Sequence, residues 1–475
     1  MYIPRVAELV PRSLATEPSP FDRTKFVLNS SGVAGILGGE EAISSITMVH
    51  VFQDWRWLGW YNSPGSYIMG MRFARLARSA VPTSRKMVDD NGAKQDEQTD
   101  KLECGVPSRP GNKGIQQMQT DLATLFEYDG RKGPKFKAIH SGTTIHETGH
   151  MASLFVMECA ELEGTLINGR HTQPVSVTIA TLDHAPDAEV PARWAEPGTF
   201  FYALIPICVS FGTCGMCLVY LDWYAFSVIL FGIFVNGISC LAIGSGTFLF
   251  THPEPAAGCP PGDGILGGEE DVVILKGKER AVNAVTRGRF SLRFWAKDAI
   301  RCIIYVKLCS FLLVIQSIAQ LALIPQCPLF GQLMFVLSLS VSWLYNLWLW
   351  SFDRDKVQRD ILMDVLGTPT LRKFVLGTRT SMVVFVLLAL NPSDPKSIMD
   401  DLLPSDTRAW QKWKTTVVNR LRKSTPLVFN QSDWHDSNLL VDEEEMLKTL
   451  FGDAEKAYHG FKLYESQILG NLSVP

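Results

Sequence analysis

The sequence predicts a mainly α, multi-pass integral membrane protein. Four transmembrane helices are expected as two hairpins, with mixed α/β segments on the cytosolic side. Three observations carry this expectation. Four apolar runs reach the ~20 residues needed to cross ~30 Å of hydrocarbon. Within each pair of runs the connection is only a few residues long, and basic residues gather at the opposite ends of the second pair, while the first pair has only Arg193 nearby. Of the 475 residues, 46% are hydrophobic and 20% charged, and the charges are confined to particular stretches. A net charge of −3 excludes a broadly basic protein, so no nucleic-acid partner is expected.

Residues 1–81 read as an N-terminal cytosolic segment. Its opening, MYIPRVAELVPRSLATEP, has no uninterrupted apolar core, so a cleaved signal peptide is not expected. Val51 to Tyr61 is crowded with aromatics and leads into YIMGMRFARLARS, where Arg72, Arg75 and Arg78 share one helical side. That pattern suits either the headgroup region of an anionic leaflet or an ordinary packed helix. Residues 82–115 are polar, charged and rich in turn formers, and read as a disordered linker. Residues 116–198 read as a cytosolic mixed α/β segment. It holds a helical stretch, TTIHETGHMASLFVMECAELEG, and a strand, PVSVTIATL.

The first hairpin, 199–250, comprises Thr199 to Leu221 and Tyr224 to about Leu249, separated by Asp222 and Trp223. The cytosolic loop 251–302 contains strand candidates in DVVILKG and AVNAVTRGRFSLRF. The second hairpin, 303–352, runs from Ile303 to Ile324 and from Leu329 to Phe352, on either side of PQCP. Residues 353–475 read as a C-terminal cytosolic helical region. WQKWKTTVVNRLRK is its basic amphipathic helix and VDEEEMLKTLFGDAEKAYHGF its acidic-ended one. Met382 to Leu390 is too short to span and predicts a buried or surface-lying helix.

Basic residues set the expected orientation. Arg287, Arg289, Arg293, Lys297 and Arg301 precede the third run, and Arg354, Lys356 and Arg359 follow the fourth. The positive-inside rule puts both flanks, and hence both termini, in the cytosol. The sequons at Asn29, Asn430 and Asn471 are then expected to stay unglycosylated.

Inside the runs, small and polar residues recur at helical spacing: Gly232, Asn236, Cys240 and Gly244; Ser338, Ser342 and Asn346; Gln316 and Gln320. Close helix packing with interhelical hydrogen bonds is the favoured reading, and a polar path for a solute the alternative. Lys307 is the only charged side chain within a run and can snorkel to the cytosolic interface. Cys214 and Cys217 form a CxxC inside an apolar helix and read as packing residues. GILGGEE occurs at Gly35 to Glu41 and again at Gly264 to Glu270, and both copies read as glycine-rich turns at equivalent corners.

One motif carries reaction chemistry. His146, Glu147, Thr148, Gly149 and His150 match the HExxH zinc signature. On a helix the two imidazoles would share a face and bind one metal, with Glu147 as general base on the bound water. The expected third ligand is missing. Val156 stands six residues after the second His; Glu158, Glu161 and Glu163 are too near; and His171, Asp183 and His184 sit in no ligand motif. The motif also precedes the apolar runs by about fifty residues. The favoured expectation is therefore no catalytic residues and no cofactor, with zinc on His146 and His150 as the alternative.

From about Glu196 through Leu390 the chain resembles uncharacterised multi-pass membrane proteins of mushroom-forming fungi. EPGTFFYALIPICVSF, DWYAFSVILFGI, AIGSGTFLFTHPEP, GDGILGG, VVILKG, AVNAVTRGRFSL, IAQLALIPQ and LGTRTS carry the likeness. The resemblance covers less than half of the chain. It implies the two-hairpin core and brings no activity or ligand; HETGH falls outside it. Three function classes follow: a non-enzymatic scaffold in the lipid bilayer that binds protein partners on its cytosolic side, a transporter or channel through the four-helix bundle, and a zinc metallopeptidase. The first is favoured because most of the chain is cytosolic and no span carries a deep charge.

Overall fold

The computed structural model describes residues 38–51, 53–79, 119–121, 132–184, 197–267, 271–294, 299–423, 425–435 and 439–472. The N-terminal residues with their sequon at Asn29, and the whole 82–115 linker, lie outside the described residues. In chain order the first elements are α1 (Gly39–Val51), α2 (Ser66–Ser79), β1 (Gln119–Asp121), β2 (Phe136–Ala138), β3 (Thr144–Ile145), α3 (His150–Glu161), β4 (Gly164–Leu166) and β5 (Val175–Leu182). Next come α4 (Pro197–Val219), α5 (Trp223–Gly244), β6 (Gly246–Thr251), β7 (Gly264–Gly267), β8 (Asp271–Gly277), α6 (Glu279–Arg287), β9 (Arg289–Phe294), α7 (Ala299–Leu323) and α8 (Leu329–Trp350). Last are α9 (Arg354–Val365), β10 (Thr370–Leu376), α10 (Arg379–Leu390), α11 (Pro395–Leu402), α12 (Arg408–Arg422), α13 (Gln431–Trp434) and α14 (Val441–Leu472).

The chain is mainly helical and divides into two units. The first comprises Met1–Asp129, Glu189–Leu249 and Phe290–Arg354; the second comprises Gly130–Ala188, Phe250–Arg289 and Asp355–Pro475. Each unit gathers stretches that are separate in the chain, and in the second unit strands from three of them complete one sheet.

In the first unit, α4, α5, α7 and α8 are the four helices long and apolar enough to cross a membrane. Their outward faces are apolar: Phe201, Phe311 and Ile318 are each 60% or more exposed, as lipid-facing residues would be. Only Tyr220 to Asp222 separate α4 from α5, and the Asp222 carboxylate caps α5 by accepting from Ala225 N at 3.2 Å. α4 packs on α5 and α8, and α5 packs on α7.

Of the two readings of the aromatic and basic N-terminal stretch, packing describes its helix. α1 packs on α8 and α5, and α2 runs along α7. Met69, Phe73 and Leu76 of α2 are buried, and Ser310 Oγ donates to the Gly70 carbonyl at 2.7 Å. Gly70 permits this approach, since a Cβ there would sit 3.1 Å from the Ser310 carbonyl oxygen. Arg72 pairs with Glu40 at 3.7 Å, while Arg75 and Arg78 stay exposed.

The second unit is built on a seven-stranded sheet in the order β3-β2-β7-β8-β5-β10-β4. Its centre, β5 against β8, is parallel, and β7 and β10 flank them antiparallel. Both central strands read as near-continuous apolar runs because both faces are covered. Val177, Ile179, Val272 and Ile274 pack with α10 and α14. The alternation of strand side chains sends Val273 and Leu275 to the other face, where α3 and α6 pack on β8.

α10 is the short apolar run at Met382 to Leu390, and it is a buried core helix. AVNAVTR, expected as part of a strand, is helical: Ala281, Val282, Ala284 and Val285 fall at helical spacing, and all are buried. The strand begins only at Arg289. The two GILGGEE copies are not equivalent corners. In the first, Gly38 is a turn residue with φ of +75° and α1 starts at Gly39; in the second, Gly264 to Gly267 form β7. Pairing with β2 and β8 on either side holds the second copy extended.

Candidate functional site

HETGH lies at a corner between a strand and a helix. β3 ends at Ile145, His146 and Glu147 follow in a bend, Thr148 forms a bridge to Gly133, and His150 is the first residue of α3. The helix expected to carry both histidines therefore begins only at the second. The cause is non-local. Gly133 N donates to the Thr148 carbonyl at 2.6 Å, and Thr148 Oγ1 donates to the Pro134 carbonyl. Those bonds hold Thr148 extended, and Gly149, a poor helix former, takes the N-cap. The imidazoles of His146 and His150 are thus not one helical turn apart.

Each polar residue of the motif has another environment. His146 is exposed. Glu147 Oε1 accepts from Lys132 Nζ at 2.6 Å on the surface. His150 Nε2 donates to Gln358 Oε1 at 2.8 Å, which ties α3 to α9. One residue on, the buried Arg359 guanidinium meets Glu161 at 2.5 Å and Glu158 at 3.6 Å. Among the described residues no three His, Cys, Asp or Glu side chains are grouped to hold a metal ion, and His171, Asp183 and His184 join neither motif histidine in such a group.

The other concentration of buried polar chemistry lies in the first unit. Between α1 and α2 the chain makes a short 3-10 turn, Gln53–Trp57, and then runs without regular structure through Leu58 to Gly65. Trp55, Leu58, Tyr61, Asn62 and Ser63 are buried. This segment meets α4 and α5 near their middles, through Asn62 at Ser210 and Gly232, and α8 about one turn from its end, through Tyr61 and Ser63 at Asn346. Gly232 and Gly237 of α5 lie against Asn62 and Trp60 respectively, and any Cβ at either glycine would collide with them. Irregular backbone at that depth is tolerated only where protein surrounds it or a polar cavity adjoins it.

The polar stripes of the long helices hold this segment. Asn236 Nδ2 donates to the Gly59 carbonyl at 2.7 Å. Ser210 Oγ accepts from Asn62 N at 3.1 Å and from Ser338 Oγ at 3.3 Å. Asn346 accepts from Tyr61 OH at 2.8 Å and donates to Ser63 Oγ at 3.2 Å, while Ser45 Oγ is 3.0 Å from Tyr61 OH. Helix-to-helix bonding was the expected use of these residues; Ser338 makes such a bond, to Ser210, whereas Asn236 and Asn346 bond instead to the inserted segment.

Three carboxamides stand apart from this network. The side chains of Asn62, Gln316 and Gln320 are 0%, 1% and 1% exposed, and none has a hydrogen-bond partner among the described residues. Asn62 Oδ1 and Gln316 Nε2 converge at Gly232, lying 2.1 and 3.1 Å from where a Cβ on that glycine would stand. Gln320 follows Gln316 by one turn on the same face of α7. Sequence reading singled out the Gln316–Gln320 pair but missed Asn62, because its neighbours across the bundle come from segments 148 or more residues away. No protein-family model, curated protein or solved structure matches this chain.

Proposed function

We propose that the chain is a non-enzymatic multi-pass membrane protein that holds its sheet-containing unit at the cytosolic face of a bilayer, where that unit binds protein partners. The make-up of one sheet supports this reading. β5, β8 and β10 are neighbouring strands, yet α4 and α5 separate β5 from β8 in sequence, and α7 and α8 separate β8 from β10. Strands that pair share one side of a bilayer, because their backbone groups cannot bond through hydrocarbon. Each pair of apolar helices then crosses and returns, giving two hairpins. Arg354, Lys356 and Arg359, next after α8, favour the cytosol for the shared side.

Protease digestion of sealed vesicles tests the sidedness. An epitope inserted at Gly258, an exposed turn glycine whose Cβ position is open, should be cleaved from cytosol-side-out vesicles without detergent. Protection of that epitope until the vesicles are opened would overturn the reading.

A second reading, solute passage through the helical unit, draws support from the unpartnered carboxamides of Asn62, Gln316 and Gln320. The zinc-peptidase reading keeps Glu147 beside two histidines in sequence only, since His146 precedes the helix that would align it with His150.

A further inference from the structure

We propose that Asn62, Gln316 and Gln320 form a site inside the four-helix unit for a small, neutral, hydrogen-bonding solute that crosses the bilayer there. The class comprises water and molecules of the size of urea or glycerol. This activity goes beyond anchoring the sheet-containing unit, and anchoring stands whether or not the solute site exists.

Two independent observations meet at one place. The first is the irregular segment Leu58 to Gly65, which brings non-helical backbone between the helices and sets Asn62 against the middles of α4 and α5. The second is the set of three fully buried amides without partners, two of which converge on Gly232. A buried amide left unpaired is costly, and an apolar residue of similar shape in its place is neutral or stabilising. A buried polar group without a partner calls for an explanation, and an occupant that supplies the missing hydrogen bonds is one. The contrast lies within the same bundle: Asn236 and Asn346 have protein partners, whereas Asn62, Gln316 and Gln320 do not.

The chemistry of the three groups fixes the solute class. Each carboxamide offers two N–H donors and a carbonyl acceptor, so together they match a molecule that both donates and accepts. An ion would need a compensating charge at that depth. The one charged residue within the apolar runs, Lys307, is exposed on the outer side of α7 near its cytosolic end.

The full chain, purified and reconstituted in lipid vesicles, is tested by stopped-flow light scattering after a sucrose shock for water, and after urea and glycerol gradients for the larger probes. Vesicles with the wild-type chain should relax faster than protein-free vesicles for at least one probe. Gln316→Leu should bring that rate down to the protein-free value without lowering the melting temperature in detergent. Gln320→Leu should act in the same direction. Gly232→Ala, which fills the point of convergence, serves as a further block in which loss of fold is monitored by yield and melting. Three results would each overturn the proposal: wild-type rates equal to protein-free vesicles for water, urea and glycerol; a Gln316→Leu variant that keeps the wild-type rate; or a Gln316→Leu variant that loses melting temperature together with rate, which makes the glutamine a packing residue.

Discussion

Asn346 is a buried carboxamide whose oxygen and nitrogen both have partners. Its oxygen accepts a hydrogen bond from the Tyr61 hydroxyl and its nitrogen donates to Ser63 Oγ, so one residue of α8 holds two points of the inserted segment. Asn346→Leu is expected to lower stability by about 1–2 kcal/mol, read as a drop in melting temperature in detergent. An unchanged melting curve would mean that Tyr61 and Ser63 are held by other contacts. The histidines of HETGH divide in the same way. His150→Ala should cost about 1 kcal/mol through loss of its bond to Gln358, and His146→Ala, at an exposed bend, should cost nothing measurable. Metal analysis of the purified chain checks the zinc alternative: stoichiometric zinc that disappears in His150→Ala would reinstate it. The motif was legible as a spelling. Its geometry was not, because the bond that delays the helix comes from Gly133, and single-sequence periodicity cannot see a partner fifteen residues away.

At the scale of elements, length and burial decided what sequence could show. The four long apolar helices were legible because a span needs a run that few other structures need. The C-terminal end of α10 was equally clear, whereas the helix starts at Arg379, three residues before the apolar run, and its burial follows from apolar residues on every side. Leu387→Ala in that helix should cost 2–5 kcal/mol and be measurable by thermal melting, since the side chain is 1% exposed and α14 and the sheet fix its surroundings. β10 escaped notice because TLRKFVL puts Arg372 and Lys373 in its middle, and only its places beside β5 and β4 make it a strand. The packing of α1 and α2 was not legible, since the long helices that bury them lie more than 150 residues downstream. The link between β2 and α11 carries a pH signature. Burial alone would raise the Asp401 carboxyl, but Lys135 at 3.2 Å and Lys137 at 3.5 Å outweigh it and hold it below the usual carboxylate range. A depressed value means the pair stabilises the fold above about pH 4, the ordinary aspartate value, and that the contribution is lost as pH falls below it. Asp401→Asn should therefore melt slightly lower than wild type at pH 7, with a difference that shrinks as pH falls below about 4, and a difference that does not shrink in acid would place its cause elsewhere.

The organisation of the whole molecule turns on one feature of connectivity: a single sheet is assembled from stretches that flank the apolar helix pairs. β8 supplies the clearest case, since it lies in the chain between α5 and α7 and yet occupies the centre of the sheet. Sequence reading divided the chain at the spans because hydropathy changes there. It could not see that three stretches of ordinary composition complete one hydrogen-bonded ladder, since strand pairing leaves no local trace. The same connectivity sharpens the test of sidedness. Asn430 lies in the second unit, its side chain is exposed, and it caps α13 in an NQS sequon. An exposed sequon in a lumenal unit would be open to modification, so its state reports the compartment of the sheet rather than local burial. Expressed in a secretory membrane, the chain should show no glycosidase-sensitive mass. A sequon introduced between Tyr220 and Trp223, at the turn joining α4 to α5, should be glycosylated if that turn faces the lumen at sufficient distance from the bilayer; the Gly258 epitope reports the opposite side independently of that distance. A glycosidase-sensitive shift in the unaltered chain that Asn430→Gln removes would put the sheet in the lumen, and with it would invert the orientation drawn from Arg354, Lys356 and Arg359.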